Sequence, residues 1–180
     1  HDDFGAKYFH EAATKAPAAF VQNVLPAVME ITDAAVYDNE RSRPKRDAVW
    51  PILFHSQHDS ADSACRNALV AALEALAMDV PETLNDDVAE LRRRETYIAN
   101  FLLLRLFTAG AAHFADQAVD LLYDQPWRLH CGFSDSAYWV AKQLIQAVVP
   151  ICSAKSRTRL EKAILNYSSD YERTPGGHTL

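Results

Sequence analysis

The amino-acid sequence predicts an all-α protein, and three observations lead to this expectation. Only 5 of the 180 residues are glycine, which is few for the turns of a β-sandwich or the loops of a phosphate-binding α/β enzyme. Alanine, the residue with the highest helix propensity, is abundant. Apolar side chains also recur at helical spacing along most of the chain. Helix is therefore the expected state of most segments.

The N-terminal end is predicted to form two helices. The first is a short helix over Phe4–Thr14, and the second runs from Pro17 to about Tyr37, because proline suits the first turn of a helix. Pro26 lies inside the second helix, and we expect it to kink or split that helix. The apolar stripe of the second helix is formed by Phe20, Val24, Val28, Ile31 and Ala35.

Residues 38–60 interrupt the helical pattern. Their first part, "DNERSRPKRD", is polar, and the next, "AVWPILFHSQHDS", is apolar with a proline. We therefore predict a long connecting segment with one helical turn near Trp50–His55. Connections longer than about 15 residues are uncommon and often functional. The basic cluster from Arg41 to Arg46 is interpreted as a solvated loop that offsets neighbouring acidic residues, rather than as a phosphate or nucleic-acid site.

Helical spacing returns at residue 61. A helix is predicted over Ala61–Met78, with Ser60 or Asp62 as its N-terminal cap. A longer helix is predicted from Asn85 to Thr108. Its second half is apolar on all sides, so we expect it to lie at the centre of the fold.

The C-terminal part is predicted to form three more helices. One ends before Pro126, one covers Ser134–Cys152, and the last covers roughly Ser156–Tyr171. The side chains predicted to point inward from the last two are Ala137, Val140, Leu144, Val148, Ile151, Leu160, Ala163, Ile164 and Tyr167.

Short links between helices favour antiparallel neighbours in a single helical domain over residues 1–180. Taken in pairs, the later helices begin near residues 61, 111 and 156, an interval close to the roughly 40–47 residues of HEAT-like repeats. An α-solenoid segment of antiparallel helix pairs is therefore the predicted architecture, with a closed helical bundle as the alternative. The polar start at His1 and the loop-like end "ERTPGGHTL" suggest a piece of a longer protein.

Charge and cysteine usage indicate which class of partner and which cellular compartment to expect. A net charge of −6 argues against a protein that coats nucleic acid. Cys65, Cys131 and Cys152 are widely spaced and contain no CxxC pair, which favours a reducing, cytoplasmic compartment. The apolar run Tyr97–Ala112 is interrupted by Arg105 and is shorter than the roughly 20 residues of a membrane span. A buried helix is the prediction, and no membrane partner is expected.

The sequence contains none of the common catalytic signatures: no GxxxxGK[ST], GxGxxG, GxSxG or HExxH. We therefore predict no enzymatic activity and no cofactor. The alternative is a helical metal-binding or enzymatic domain that uses His55, His58, Asp59 and Asp62, which would share one face if the segment were helical. The favoured interpretation of that cluster is a polar linker that enters a helix.

Arginines at position 105 and at positions 92–94 lie within the helix predicted over Asn85–Thr108. Arg105, within "FLLLRLF", is expected to pair with an acidic side chain on a neighbouring helix, and a ligand-facing cation is the alternative. Three consecutive arginines at 92–94 spread around a helix and form no single patch. Arg92 and Arg93 are expected to reach solvent or to pair with Glu90 and Glu95.

The stretch "RLHCGFSDSAYWVAKQL" from Arg128 to Leu144 collects side chains typical of catalysis. A helix start explains most of them: Ser134 would cap the helix, and a glycine before it would permit a sharp turn. His130 and Cys131 remain, but neighbours in a chain seldom face one another as a nucleophile and base must. We predict a structural helix start.

The segment "FADQAVDLLYDQPWRLHCGFSDSAYWVAKQLIQAV", Phe114–Val148, resembles the HEAT- or TPR-like helical-repeat arms of large bacterial multidomain proteins. It is similar in style to the arms of STAND-class NTPases of anti-phage defence. The features that carry the resemblance are a helix that ends in Asp-Gln-Pro, a Gly-aromatic-Ser-Asp cap and a Trp-Val-Ala helix. The resemblance implies a sensor or scaffold region that grips a protein, with the nucleotide-binding and effector parts outside this segment.

These observations favour a non-catalytic protein-recognition or scaffold module of helical-repeat type, whose partner is a protein or another domain of the same chain. Aromatic and arginine side chains are the usual anchors of protein interfaces. A plain dimerisation bundle is a further hypothesis. The candidate anchors are Trp50, Trp127, Arg128, Tyr138 and Trp139.

Overall fold

A computed structural model describes residues 4–36, 43–50, 60–132 and 136–168 of the chain. Within these ranges the protein is all-helical, as predicted, and strand-like pairing occurs only as isolated bridges, among them Val36–Asp47 and Lys45–Thr96. Short 3-10 turns cover Pro81–Leu84 and Pro126–Leu129. The α-helices of the described ranges are α1 (Phe4–Lys15), α2 (Pro17–Ala35), α3 (Ala61–Asp79), α4 (Asn85–Arg93), α5 (Tyr97–Ala109), α6 (Ala111–Asp124), α7 (Trp139–Val148) and α8 (Ala154–Asn166).

Helices α1, α2, α3 and α6 lie close to their predicted bounds. Pro26 does not split α2, which runs through it without a break. Pro26 lies on the exposed side of the helix, where water can satisfy the carbonyl group that proline leaves without an N–H partner. Of the predicted connecting segment, the structure describes residues 43–50; the helical turn predicted near Trp50–His55 lies almost wholly outside the described residues.

The long helix predicted over Asn85–Thr108 is wrong, because the chain is extended at residues 94–96. Arg94 has φ −91° and ψ 139°, and Thr96 has φ −85° and ψ 154°. The backbone of Lys45 pairs with this break: its N–H donates to the Glu95 carbonyl at 2.8 Å, and its carbonyl accepts from the N–H of Tyr97 at 2.8 Å. A segment distant in sequence therefore stabilises the break between α4 and α5.

Helix α7 begins at Trp139, five positions later than predicted at Ser134. The carbonyl of Cys131 accepts hydrogen bonds from the N–H groups of Val140 at 3.0 Å and Ala141 at 3.2 Å. These are among the N–H groups that a helix start leaves without an intrahelical partner. The first turn of α7 is thus satisfied by a backbone carbonyl, and the predicted Ser134 cap lies outside the described residues.

Helix α5 is the centre of the fold, as its all-round apolar character predicts. It packs against α3, α4, α6 and α7, and Ile98, Leu102 and Leu106 are 0% exposed. Arg105 reaches from α5 to Glu74 of α3, with Nε 2.7 Å and Nη2 2.6 Å from the same carboxylate oxygen. The predicted ion pair with a neighbouring helix is confirmed. Over the described ranges, none of the helices is both long enough and apolar enough to cross a membrane.

Three isoleucines that were predicted to point inward are exposed. Ile31 is 45% exposed, Ile151 is 54% exposed and Ile164 is 42% exposed. On α2 the buried stripe passes through Met29 and Thr32 and so leaves Ile31 at its edge. Ile151 lies in the turn that follows α7. These positions place apolar side chains on the surface.

Candidate functional site

Trp50, the first candidate anchor, is a core residue. It is 5% exposed, and its indole Nε1 donates a hydrogen bond to Thr32 Oγ1 on α2 at 3.0 Å. Its backbone N–H donates to Asp47 Oδ1 at 2.7 Å. Buried indole N–H groups need such a partner. Trp50 therefore attaches the connecting segment to α2, and in this conformation its ring is not presented to a partner.

Arg128, the second anchor that the structure places in the interior, is 0% exposed. Its guanidinium donates to the carbonyl oxygens of Arg92 at 2.7 Å and Arg94 at 3.2 Å, at the end of α4. It also donates to Asn100 Oδ1 at 3.2 Å and Gln125 Oε1 at 2.6 Å. The carbonyl groups at a helix end carry partial negative charge and can stabilise a cation. Arg128 is therefore a structural joint between α4, α5 and the turn after α6.

Burial, followed by the nearby Arg92, lowers the pKa of Arg128 to about 10. The guanidinium therefore keeps its charge at neutral pH. Asn100 completes the joint, because its Nδ2 donates back to the Arg128 carbonyl at 3.1 Å. Both side chains are fully buried. Their polar groups satisfy one another, as a buried polar cluster must.

The turn before α7 is closed by Tyr97. Its hydroxyl accepts a hydrogen bond from the N–H of Gly132 at 2.9 Å and donates to the Gly132 carbonyl. A Cβ atom at Gly132 would lie 2.6 Å from the backbone of both Ala137 and Trp139. Only glycine allows the chain to pass this closely. The sharp turn that the sequence predicts at this glycine is confirmed.

Cys131 cannot serve as a nucleophile in this structure. It is 0% exposed, and burial raises the pKa of its thiol well above the usual range. A buried thiol stays protonated at neutral pH, whereas the thiolate is the reactive form. The ring of His130 packs on Tyr138, with 5.6 Å between ring centroids. The stretch that begins at Arg128 thus builds a turn and a helix start.

The three remaining anchors lie nearer the surface. Trp127 is half-buried and covers the Arg128 guanidinium, which stands 4.3 Å from the ring centroid. Trp139 is half-buried at the start of α7. Tyr138 lines a concave surface of the described residues.

That concave surface, which we name the α7–α8 groove, encloses about 280 Å³. The rings of Tyr138 and Tyr167 meet edge to face across it, with 6.3 Å between centroids and an interplanar angle of 85°. Pockets for drug-sized ligands span roughly 300–1,000 Å³, so this groove lies at the small end of that range. Its lining residues are Leu129, Tyr138, Ala141, Lys142, Ile145, Ile164 and Tyr167.

An exposed apolar rim adjoins the groove on α8. Leu160 and Ala163 bury the inner face of this helix, whereas Leu165 is 83% exposed. Consecutive positions on a helix differ by about 100°, so Ile164 and Leu165 cannot both join the buried stripe. Ile164 faces the groove and Leu165 projects beside it. An apolar hollow and an apolar projection therefore lie next to each other on this surface.

A second concave surface, the α2–α4 cleft, encloses about 320 Å³ and has a different chemistry. Arg94 bridges its two walls, with Asp33 at 2.5 Å and Glu90 at 2.8 Å. Burial, followed by the charge of Asp86, raises the pKa of Asp87. The lining residues are Leu25, Pro26, Met29, Glu30, Asp33, Asp87, Glu90 and Arg94.

The predicted metal cluster is only partly within the structure. His55, His58 and Asp59 lie outside the described residues, and Asp62 is on the first turn of α3. Burial, followed by the charge of Asp62, raises the pKa of the Cys65 thiol. Among the described residues no group of three or more His, Cys, Asp or Glu side chains could hold a metal ion. The metal hypothesis stays a prediction.

The sequence predicted Tyr138 as a candidate anchor but did not predict the groove around it. Ile164 and Tyr167 were predicted to point into the core, and the adjacent pair Ile164–Leu165 was the signal that one large apolar residue must be left outside. Ile145 belongs to α7 on a face that is only half-buried. The groove depends on how α8 meets α7, which periodicity within one helix does not specify.

Comparisons with known proteins found no matching protein family, no matching curated protein and no matching solved structure.

Proposed function

We propose that this chain is a non-catalytic protein-recognition or scaffold module that holds an apolar side chain of a protein in the α7–α8 groove. The observation that supports the proposal is the groove itself: two tyrosines and four aliphatic side chains around a hollow, with one cation, Lys142, at its edge. Tyrosine is enriched among the residues that dominate binding energy at interfaces.

The energetics of such a contact are favourable. Burying one leucine-sized side chain stabilises a complex by about 1.5–3 kcal/mol. Ile164 is 42% exposed and Leu165 is 83% exposed, so both have apolar surface that a partner can remove from water. The groove is part of a rigid frame, since Arg128 and Tyr97 fix the turn that carries its wall.

Helical-repeat architecture is part of the proposal. Helix α1 packs on α3, α3 on α5, α5 on α7 and α6 on α8. This contact between alternate helices is compatible with the stacked pairs of a solenoid. The resemblance of Phe114–Val148 to repeat arms of STAND-class NTPases supports a sensor or scaffold role within a larger bacterial defence or signalling protein. A cytoplasmic setting and a protein rather than nucleic-acid partner complete the proposal, with the net charge of −6 in support.

Peptide selection with a matched pair of variants tests this function. A library of displayed random peptides is selected against the purified chain at low chain concentration, and the Kd of each selected peptide is measured. Ile164→Asp places a charge in the groove, and Ile151→Asp places the same charge at a similarly exposed position outside the groove lining. We expect apolar peptides that lose at least about tenfold in affinity on Ile164→Asp and keep it on Ile151→Asp. Peptides that bind both variants equally, or no selected peptides at all, would contradict the proposal.

A further inference from the structure

The face that carries the α7–α8 groove contains both a hollow and a projection. Leu165 is the most exposed of the large apolar residues in the described ranges, at 83%. Its neighbour Ile164 lines the groove, so the projection and the hollow adjoin one another on one surface. In a two-fold symmetric interface the same patch faces itself, and every projection must find a hollow within that patch. This surface meets that condition.

Charges on the same face are complementary in the same way. Lys142 is exposed on α7 at the edge of the groove. Glu161 is exposed on α8 one turn before Leu165, and residues four positions apart share a helix face. Neither Lys142 nor Glu161 has an ion-pair partner within the part of the chain that the structure describes. A positive group thus stands beside the hollow and a negative group beside the projection.

We propose that the occupant of the α7–α8 groove is Leu165 of a second copy of this chain, in a two-fold symmetric homodimer. The inference rests on the proposed function, since it names the protein that the groove recognises. Each Leu165 enters the groove of the other copy beside the two tyrosines. The same operation brings each Glu161 to the Lys142 of the opposite copy, so that the interface contains two identical ion pairs. Opposite charges at an interface fix register more than they add affinity.

Sedimentation equilibrium of the whole chain over a wide concentration range tests the dimer. We expect a concentration-dependent monomer–dimer equilibrium. Leu165→Asp raises the dimer Kd by about thirtyfold or more, the effect of losing one anchor residue at an interface. The control Ile151→Asp alters another exposed apolar residue and leaves the Kd within about threefold. Circular dichroism of each variant checks that helix content is unchanged.

A charge exchange tests the register. Lys142→Glu alone and Glu161→Lys alone each place like charges opposite one another, and each raises the dimer Kd by about tenfold. The double variant restores the two pairs with their signs exchanged, and its Kd returns to near the value of the unaltered chain. A double variant that dimerises no better than the single variants overturns the proposed register.

Two outcomes overturn the dimer. One is a chain that remains monomeric up to its solubility limit, and the other is a dimer that Leu165→Asp leaves unchanged. If the groove still binds selected peptides and loses them on Ile164→Asp, only the identity of the occupant is overturned and the recognition function stands. If peptide binding is absent as well, both proposals fail.

Discussion

The α7–α8 groove and the α2–α4 cleft have similar volumes, about 280 and 320 Å³, but the side chains that line them differ in chemistry. In the cleft, Arg94 pairs with a carboxylate on each wall, Asp33 of α2 and Glu90 of α4. In the groove, the apolar lining lies open and Leu165 projects beside it. The ion pairs of the cleft therefore connect two helices of one chain, whereas the open lining of the groove is the surface on which the proposed recognition function rests. The two surfaces therefore differ in the charge of their side chains and not in their volume.

The largest expected effect on stability comes from replacing Arg128, which is connected to both the α2–α4 cleft and the α7–α8 groove. Arg128 ties the end of α4, which forms one wall of the cleft, to the turn that carries Leu129 of the groove. Arg128→Leu leaves buried carbonyl oxygens and Asn100 Oδ1 without a donor, at a cost of about 1–3 kcal/mol for each unsatisfied group. We expect a loss of at least about 3 kcal/mol in the free energy of unfolding, measured by urea denaturation.

A matched surface variant provides the control for Arg128. Arg93 has a side chain that is 75% exposed and pairs only with Glu90 among the described residues. Arg93→Leu should change the free energy of unfolding by less than about 1 kcal/mol, because exposed ion pairs contribute little. If both variants are equally stable, Arg128 is not the joint that its hydrogen bonds indicate.

A smaller effect, confined to the groove, is expected from Gly132→Ala. The new methyl group would meet the backbone of Ala137 and Trp139 at 2.6 Å, so the turn that leads into α7 must shift. Forcing a methyl group into a filled space costs about 1–3 kcal/mol. Hydrogen exchange should show faster opening at the start of α7 and unchanged protection in α2. An equal loss of protection in α7 and α2 would contradict the expectation that this substitution affects the groove and not the cleft.

The smallest effect is expected in the cleft and depends on pH. A hydrogen bond from Arg94 is the largest cause that lowers the pKa of Glu90. Since the folded pKa lies below the unfolded value of about 4.3, the contribution to stability is complete above that pH and is lost as the pH falls through the folded pKa. Glu90 is one-third exposed, which limits the contribution to about 0.5 kcal/mol.

Urea denaturation over a pH series measures this effect. Glu90→Gln should lower the free energy of unfolding at neutral pH, and the difference from the unaltered chain should shrink in the acidic range. Ile164→Ala in the groove alters no titratable group, so its difference from the unaltered chain should stay constant over the same series. A Glu90→Gln difference that does not vary with pH would show that the pairing with Arg94 contributes nothing.

The sequence predicted the helical class and several helix bounds because apolar spacing within a segment reports directly on helix. It could not predict the break at residues 94–96, since the backbone of Lys45 and the side chain of Arg128 stabilise it from distant parts of the chain. The pairing of Arg105 was predictable from chemistry alone: a cation in an apolar helix requires a partner, and Glu74 supplies it.

The candidate site was harder to predict than the helices, because it also depends on contacts between distant parts of the chain. Arg128 and Trp50 have the residue types of interface anchors, but only tertiary packing shows that both are buried. Tyr138 was predicted as an anchor from its residue type, and the structure shows that it lines a groove between α7 and α8. The distinction between a core stripe and a docking face depends on which helix covers which, and that information is spread over the whole chain.

The joint at Arg128 has a consequence for how the protein tolerates mutation. Two of its acceptors are peptide carbonyls, which every amino acid supplies at positions 92 and 94. Exchanging either of those arginines removes no acceptor from the joint. The hydrogen bonds of the joint therefore depend mainly on the side chains of Arg128, Asn100 and Gln125. A saturation scan of positions 92 and 94 should therefore accept many residues for folding, whereas position 128 should accept almost none.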